Sequence, residues 1–296
     1  MKLSLLLAIS LLPLRGRQML SLARENPSPR EIQRRFPQYW QPSRVERMLS
    51  FLHQGKENHI VFLGMEEYPS LLAQEENPPF RLLYRGRLPG KEERLLSLCG
   101  TRSSSLGAEQ AAYHLALEAG ANQVALVTSH SPGIDRSALY AIRDGHGCGF
   151  VPCDCGLDTP RIRENRLLEG MNLISSYEPD DRAHRFRCLS RNVLTAALSP
   201  LLVVVQAPLK SGALHCASMA LDMGREVVVH SCGTNDLPWS AGSRQLAEDG
   251  APVVSGYAEI ASALHYPHSR VVSLAGGVGA VYRYGNSCYS ISHGDE

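Results

Sequence analysis

From about residue 94 the chain alternates short apolar runs with longer amphipathic stretches. The runs are LLSLC (95–99), VALVT (124–128), FVPC (150–153), NLIS (172–175), LLVVV (201–205) and EVVVH (226–230). They are apolar at nearly every position rather than at every second one. That pattern suits strands covered on both faces, as in a parallel sheet. Between them, SSLGAEQAAYHLALEAG, GIDRSALYAIRDG, RNVLTAALS and GALHCASMALDMG carry helical spacing and end at or near glycine. The spacing predicts an α/β fold over 94–256, a doubly wound, Rossmann-like, mostly parallel sheet. In that architecture ligands bind beyond the carboxyl ends of the strands, where loops lead into helix N-termini.

The rest of the chain is patterned differently. Residues 1–55 read as a small helical domain: an apolar helix, a turn at Pro13–Gly16, MLSLAREN, then PSPREIQRRF and SRVERMLSFLHQG. Ser28 is a candidate cap, with Pro29 at the first helical position. Residues 56–93 form a proline-punctuated connector containing one short strand, IVFLG (60–64). Residues 257–296 are a C-terminal extension with no assignment, although AGGVGAVYRYG (275–285) is glycine-rich. The opening MKLSLLLAISLLPLRGRQ imitates a signal peptide, but no small-x-small cleavage site follows and the apolar run is too short to span a bilayer. A helix ending at a Pro/Gly turn fits it better, which makes a cytoplasmic protein without a membrane partner the expectation.

Composition narrows the classes. The formal net charge is +1, so no global field draws the chain onto nucleic acid or membrane, and any anion site must be local. Of the 30 basic residues only Lys2, Lys56, Lys91 and Lys210 are lysines. An arginine excess suits phosphate and base recognition, and a coding bias produces it equally. Cys148, Cys153 and Cys155 invite a metal reading, but no second CxxC or histidine pair completes a tetrahedral set. No metal, cofactor or catalytic residue is therefore assigned. His215 and His230 read as packed histidines, and Asp180–Asp181 as a surface loop.

Four strand-to-helix loops could bind an anion. LCGTRSSSLG places Gly100, Thr101 and Arg102 beyond the first strand, and is not the GxGxxG of a dinucleotide site. In VTSHSPGID, Gly133 permits a tight turn and Asp135 is a candidate cap. In LSRNVLTAALS, Arg191 and Asn192 open a helix. In QAPLKSGALHCA, Lys210, Ser211 and Gly212 stand where free backbone N–H groups and the helix dipole favour an anion. Ser211 doubles as cap and Lys210 adds a point charge. The plainer alternative for this last loop is a capped helix beside a solvated lysine.

Taken in order, these loops resemble the DNA-processing protein A (DprA/Smf) family. EEYPSLLAQEENPPFRLLYRGRLP resembles its YPxxL…PPxxLyxxG lead-in, LCGTRSSSLG its G-[ST]-R-x4-G, TSHSPGID its SGxAxGID and CDCGLD its cGLD. LISSYEP, SRNVLTAALS, QAPLKSGALHCASMALDMGRE and SAGSRQLAEDGA follow in the family's sequence, from about Glu67 to Gly256. The resemblance implies a non-enzymatic protein that binds single-stranded DNA, works as a homodimer and helps load a RecA-type recombinase during natural transformation. It implies phosphate contacts at Gly100, Thr101, Arg102, Lys210, Ser211 and Gly212, with Arg191 and Asn192 nearby, and makes the N-terminal helices a small SAM or helix-hairpin-helix-like domain. Several positions depart from the pattern. Val193 replaces the second arginine of RNR, Pro132 an arginine before GID, Ser129 a glycine, Gln206 a glutamate and Leu189 an aromatic, and His230-Ser231-Cys232-Gly233 replaces a PG turn. Lost cations reduce the salt-dependent part of DNA affinity, and a lost aromatic removes a stacking surface. The other readings are a Rossmann-like nucleoside-monophosphate hydrolase and a relative that binds only a protein partner.

Overall fold

A computed structural model describes residues 2–235 and 239–267, and the backbone of 281–284 and 287–290. The glycine-rich stretch at 275–285 lies outside the described residues apart from its last strand.

The chain begins with helices α1 (Leu3–Ile9), α2 (Gly16–Arg24), α3 (Pro29–Arg35) and α4 (Pro42–Gln54). The start of α3 is a capping box: Ser28 Oγ accepts from Glu31 N–H while the Glu31 carboxylate accepts from Ser28 N–H at 2.6 Å. Pro29 takes the first position, where its missing N–H costs nothing. Next come β1 (Asn58–Phe62), a single helical turn α5 (Ser70–Ala73) and β2 (Arg81–Arg85). The α/β region follows as β3 (Leu95–Cys99), α6 (Leu106–Ala121), β4 (Ala125–Val127), α7 (Ile134–Asp144), β5 (Gly149–Pro152), α8 (Pro160–Arg163), β6 (Asn172–Ser175), α9 (Arg185–Ala197), β7 (Leu201–Val204), α10 (Gly212–Asp222), β8 (Glu226–His230), α11 (Ala241–Glu248), β9 (Val253–Val254) and α12 (Tyr257–Ala263). The strands β10 (Val281–Tyr284) and β11 (Ser287–Ser290) form a separate antiparallel pair.

Among the described residues the main sheet has the order β1-β2-β6-β5-β4-β3-β7-β8-β9. From β6 to β9 the neighbours are parallel; β2 joins β6, and β1 joins β2, antiparallel. This is the doubly wound α/β sheet of the sequence reading, with one amendment. The segment read as a connector with one strand supplies two strands, β1 and β2, that extend the sheet on one side. RLLYR gave no strand signal between its flanking prolines; pairing to β6 through Leu83–Ser175 and Tyr84–Ile174 makes it one.

Both faces of the sheet are covered. On one face Leu96, Leu98, Val203 and Val228 pack with Ala112, Leu115, Ile134 and Leu139 from α6 and α7. On the other, Cys99, Leu202, Val204 and Val227 pack with Ala196 of α9 and Ala213, Cys216 and Ala217 of α10. Leu7, Ile9, Ile32 and Met48 of the N-terminal helices share one buried cluster with Phe150 and Ile174 of the sheet and Leu194 of α9. Polar ties reinforce that contact. Arg44 of α4 forks onto the buried carboxylate of Glu178, its Nε 3.0 Å from each oxygen. Buried Arg81 donates to Ser10 O at 3.0 Å and to Ser10 Oγ at 2.6 Å.

The strand order fixes where a ligand can enter. The chain steps outward from β3 through β4, β5 and β6, returns across the sheet, and steps outward the other way from β7 through β8 to β9. The reversal lies between β3 and β7, so loops beyond their carboxyl ends diverge and leave a crevice.

Candidate nucleic-acid interface

At that crevice lies a cavity of about 520 Å³. Its walls come from the loop after β3 (Gly100, Thr101, Arg102), the loop after β4 with the start of α7 (Ser129, Ser131, Asp135), the first turns of α9, and the N-terminus of α10 (Ser211, Gly212).

Small residues allow these segments to meet. A Cβ on Gly100 would lie 2.5 Å from the Ile134 side chain. Gly133 has φ +76°, and a Cβ there would meet Thr101 O at 2.4 Å. The loop after β3 therefore rests directly on the start of α7, which a side chain at either position would prevent. Across the crevice Thr101 N–H donates to Gln206 O at 2.8 Å. Gln206 is buried; its Oε1 accepts from Ser105 N–H at 2.9 Å and its Nε2 donates to the hydroxyls of Ser105 and Ser240. The neutral amide thus satisfies both donors and acceptors at this junction, which a carboxylate could not.

Ser211 caps α10 by accepting from Leu214 N–H at 3.3 Å. Asn192 Nδ2 donates to Gly212 O at 3.0 Å, tying α9 to the start of α10. Ser211, Gly212 and Ala213 of that turn line the cavity, at a helix N-terminus, which favours negative charge. Beside them Arg191 is 5% exposed. Its Nη2 donates to Ser131 Oγ at 3.4 Å, and its Nε has no hydrogen-bond partner among the described residues. A buried guanidinium with unused donors attracts an anion, because the group has lost its water without full replacement.

One carboxylate faces this cation. Asp135 accepts from Gly100 N–H at 3.2 Å and from the Ser129 hydroxyl. Burial pushes its carboxyl up to about 6, against the lowering effects of Arg191, the Ser129 hydroxyl, the Gly100 amide and Arg102. Behind the cavity wall Asp154 is buried and accepts from the Cys188 thiol at 3.0 Å, with Arg161 at 3.4 Å and His130 at 3.5 Å. Burial works to raise Asp154, and the Cys188 thiol, His130 and the arginines outweigh it, so its carboxyl is held below its ordinary value. Burial drives His130 down to about 4, leaving the imidazole neutral at neutral pH. Among the described residues no group of three or more His, Cys, Asp or Glu is arranged to hold a metal ion.

Of the residues singled out from the sequence, Gly100, Thr101, Arg102, Arg191, Asn192, Ser211 and Gly212 line one cavity. Lys210 does not line it; its side chain is exposed and its backbone is left-handed, with φ +56°. Two local expectations are corrected. Arg191 and Asn192 do not open α9. The helix starts at Arg185, with His184 Nδ1 capping Phe186 N–H at 3.4 Å, because nothing between 185 and 191 breaks it. Asp135 is not the cap of α7 either; Gly133 takes that position and Asp135 turns inward from the first turn.

Other lining residues carried no sequence signal that was used. Ser129 and Ser131 sit in the loop singled out for Gly133, Asp135 and its likeness to SGxAxGID, where neither serine is assigned a ligand contact. Arg185, Phe186 and Cys188 lay upstream of the expected helix start. Leu189 lines the cavity and Phe186, one helical turn earlier, is a large exposed aromatic at the same rim. Val193 faces away: it lines a separate cavity of about 340 Å³ against the N-terminal helices. A cation at 193 would not have reached the crevice.

A doubly wound sheet with arginines and a helix N-terminus at its switch-point crevice has the architecture of an α/β protein suited to an anionic ligand. The family model described as DNA recombination-mediator protein A matches residues 59–265, and the chain belongs to that family. Among curated relatives, Protein Smf of Borreliella burgdorferi is 28% identical over 183 residues, covering 59% of this chain and 58% of the relative. A putative DNA processing protein DprA of Mycobacterium tuberculosis is 33% identical over 174 residues, covering 57% and 44%. Protein Smf of Escherichia coli is 28% identical over 228 residues, covering 75% and 60%. The chain thus spans about half the length of the curated relatives it matches. The structure superposes on DNA processing protein A of Streptococcus pneumoniae with a TM-score of 0.73 at 20% identity, covering 88% of this chain and 98% of that one. For DNA processing protein A of Helicobacter pylori, whose structure concerns a single-stranded DNA binding mode, the TM-score is 0.61 at 22% identity, covering 71% and 98%. At these identities the superpositions establish the fold. No helix among the described residues is long and apolar enough to cross a membrane.

Proposed function

We propose that the crevice between β3 and β7 grips the phosphates of single-stranded DNA, and that the protein serves DNA processing in recombination as a binding module rather than an enzyme. The observation that carries this reading is the convergence of buried Arg191, the Gly100–Arg102 loop and the N-terminus of α10 on one cavity. Cations and a helix N-terminus that converge on one crevice suit the grip of successive phosphates along a backbone. Lys210, next to the cavity on the same loop as Ser211, supplies a further phosphate contact at the rim. Family membership supports the wider setting: a cytoplasmic homodimer that holds incoming single strands during natural transformation and passes them to a RecA-type recombinase, with no cofactor.

Fluorescence anisotropy of a labelled oligothymidine across a salt series tests the reading. Binding at low salt that weakens steeply with salt, and a shallower slope for Arg102→Ala, is the expected result. No binding by the wild-type protein at low salt would sink it. Hydrolysis of nucleoside monophosphates by the same preparation would favour an enzymatic use of the crevice.

A further inference from the structure

We infer that the cavity between the N-terminal helices and the face of α9 turned away from the crevice is a second binding site, for a small organic anion that carries one carboxylate or phosphate on an apolar body. It lies outside the crevice and does not depend on the single-strand reading.

Arg81 carries the inference. It lines this cavity of about 340 Å³ and is only 8% exposed. Its Nη1 reaches two neutral acceptors, the carbonyl and the hydroxyl of Ser10, and its Nε has no hydrogen-bond partner among the described residues. No ion pair among the described residues includes it. The nearby carboxylate of Glu178 is forked by Arg44 instead. Burial pushes the Arg81 guanidinium down to about 10, with Glu178 pulling the other way, so the group stays charged at neutral pH. A buried cation without a counter-ion is costly, and an anionic ligand offsets that cost.

The rest of the wall describes the ligand. Met19, Phe80 and Leu194 line it with apolar surface, Ser176 and Ser190 with hydroxyls, and exposed Arg15 adds a second cation. Val193, which stands where the family motif carries arginine, leaves room that a longer side chain would fill. An inorganic anion would leave the apolar wall bare, and a neutral apolar molecule would leave Arg81 unpaired. The fit is to a molecule with both parts.

Isothermal titration of the full chain with phenyl phosphate, benzoate and phenol tests the assignment. At least one of the two aryl anions should bind saturably and more tightly than phenol by about tenfold or more, the least that a hydrogen bond to a charged group contributes. The tighter anion tells a phosphate-bearing ligand from a carboxylate-bearing one. Val193→Phe should fill the cavity and weaken that anion by a like factor, with oligothymidine binding as in wild type. Arg81→Met should remove the preference over phenol. Thermal melts check that both variants fold, and Val193→Phe keeps the test if Arg81→Met does not. No saturable binding of either anion by wild type, or unchanged binding in Val193→Phe, overturns the site. Displacement of the bound anion by oligothymidine, or its loss in Arg102→Ala, also overturns it, because the anion would then sit in the crevice. A wild-type protein that binds the aryl anion and no oligothymidine upholds this site and sinks the single-strand reading alone.

Discussion

Gly100 donates its amide to the carboxylate of Asp135 at 3.2 Å, so an acidic side chain from α7 occupies a donor of the loop that lines the crevice. The contact places a negative charge beside the cations that would meet an incoming phosphate. It also buries that charge at a cost, since Asp135 is 6% exposed and its carboxyl titrates near 6.

That cost gives a pH signature. Below the ordinary value of 3.8 the carboxyl is protonated in both folded and unfolded chains. Between about 4 and 6 the folded state keeps a proton the unfolded chain loses, so the group's contribution to stability falls as pH rises through this window and stays lower above it. Asp135→Asn keeps the shape and removes the titration. Urea unfolding should show the variant's stability relative to wild type moving in its favour by about 2–3 kcal/mol from pH 4 to pH 7. A pH-independent difference would mean the carboxyl does not titrate there. With one negative charge fewer, the variant should also bind oligothymidine more tightly at pH 8.

Gly133→Ala should be far more damaging than its size suggests. The new Cβ would meet the carbonyls of Thr101 and Arg102 at a left-handed position, φ +76°. A loss of about 2–4 kcal/mol in chemical unfolding is expected. If the variant is within 0.5 kcal/mol of wild type, a level of about the ordinary surface substitution, the loop does not rest on α7 as described.

The crevice cations should outrank the rim. Lys210→Ala is expected to lower the slope of log affinity against log salt by at most about 0.7, one single-strand phosphate contact. Arg102→Ala should lower the affinity more, because Arg102 lines the cavity and Lys210 does not. Lys210→Gly carries a separate consequence. Its left-handed φ of +56° suits glycine, so stability should hold or rise slightly, by about 0.5 kcal/mol. The reverse order of the two alanine variants in anisotropy would move the binding surface out to the loop tip.

Arg44→Ala should unfasten the N-terminal helices from the sheet region. Glu178 is 6% exposed, and burial alone would raise its carboxyl; the Arg44 fork reverses this and holds it below its ordinary value. A carboxyl held low adds stability above about pH 4.5 that is lost as pH falls through its folded value. Without Arg44 most of that contribution goes at neutral pH, leaving Arg81 and Arg47 as nearby compensating cations, and a loss of about 3 kcal/mol is expected. Equal unfolding midpoints for variant and wild type would show that the pair is solvated.

The strands of the parallel sheet were legible because continuous apolar runs have few other uses in a chain of ordinary composition. β2 was not, since its five residues sit between Pro78–Pro79 and Pro89 and owe their extension to partners on either side. β9, two residues long, has too little pattern of its own. In the site, the loops could be read from strand-end grammar and from the order of family motifs. The burial of Arg191 could not: an arginine in a helical stretch ordinarily faces water, and only the approach of α9 to the loop after β4 encloses it. Phe186 was hidden for the opposite reason. Within RAHRFRC it is one apolar residue in a polar stretch, and the helix that begins at Arg185 turns it to the crevice rim.

The reversal of strand order at β3 and β7 makes the crevice a seam between two half-sheets. One half carries Gly100 to Asp135, the other Arg191, Ser211 and Gly212, and the segment that precedes α9 carries the chain from the first to the second. A cut in that segment would leave each fragment with half of the grip and neither with a closed cavity. Oligonucleotide binding would then report the reunion of the halves, much as a split reporter does.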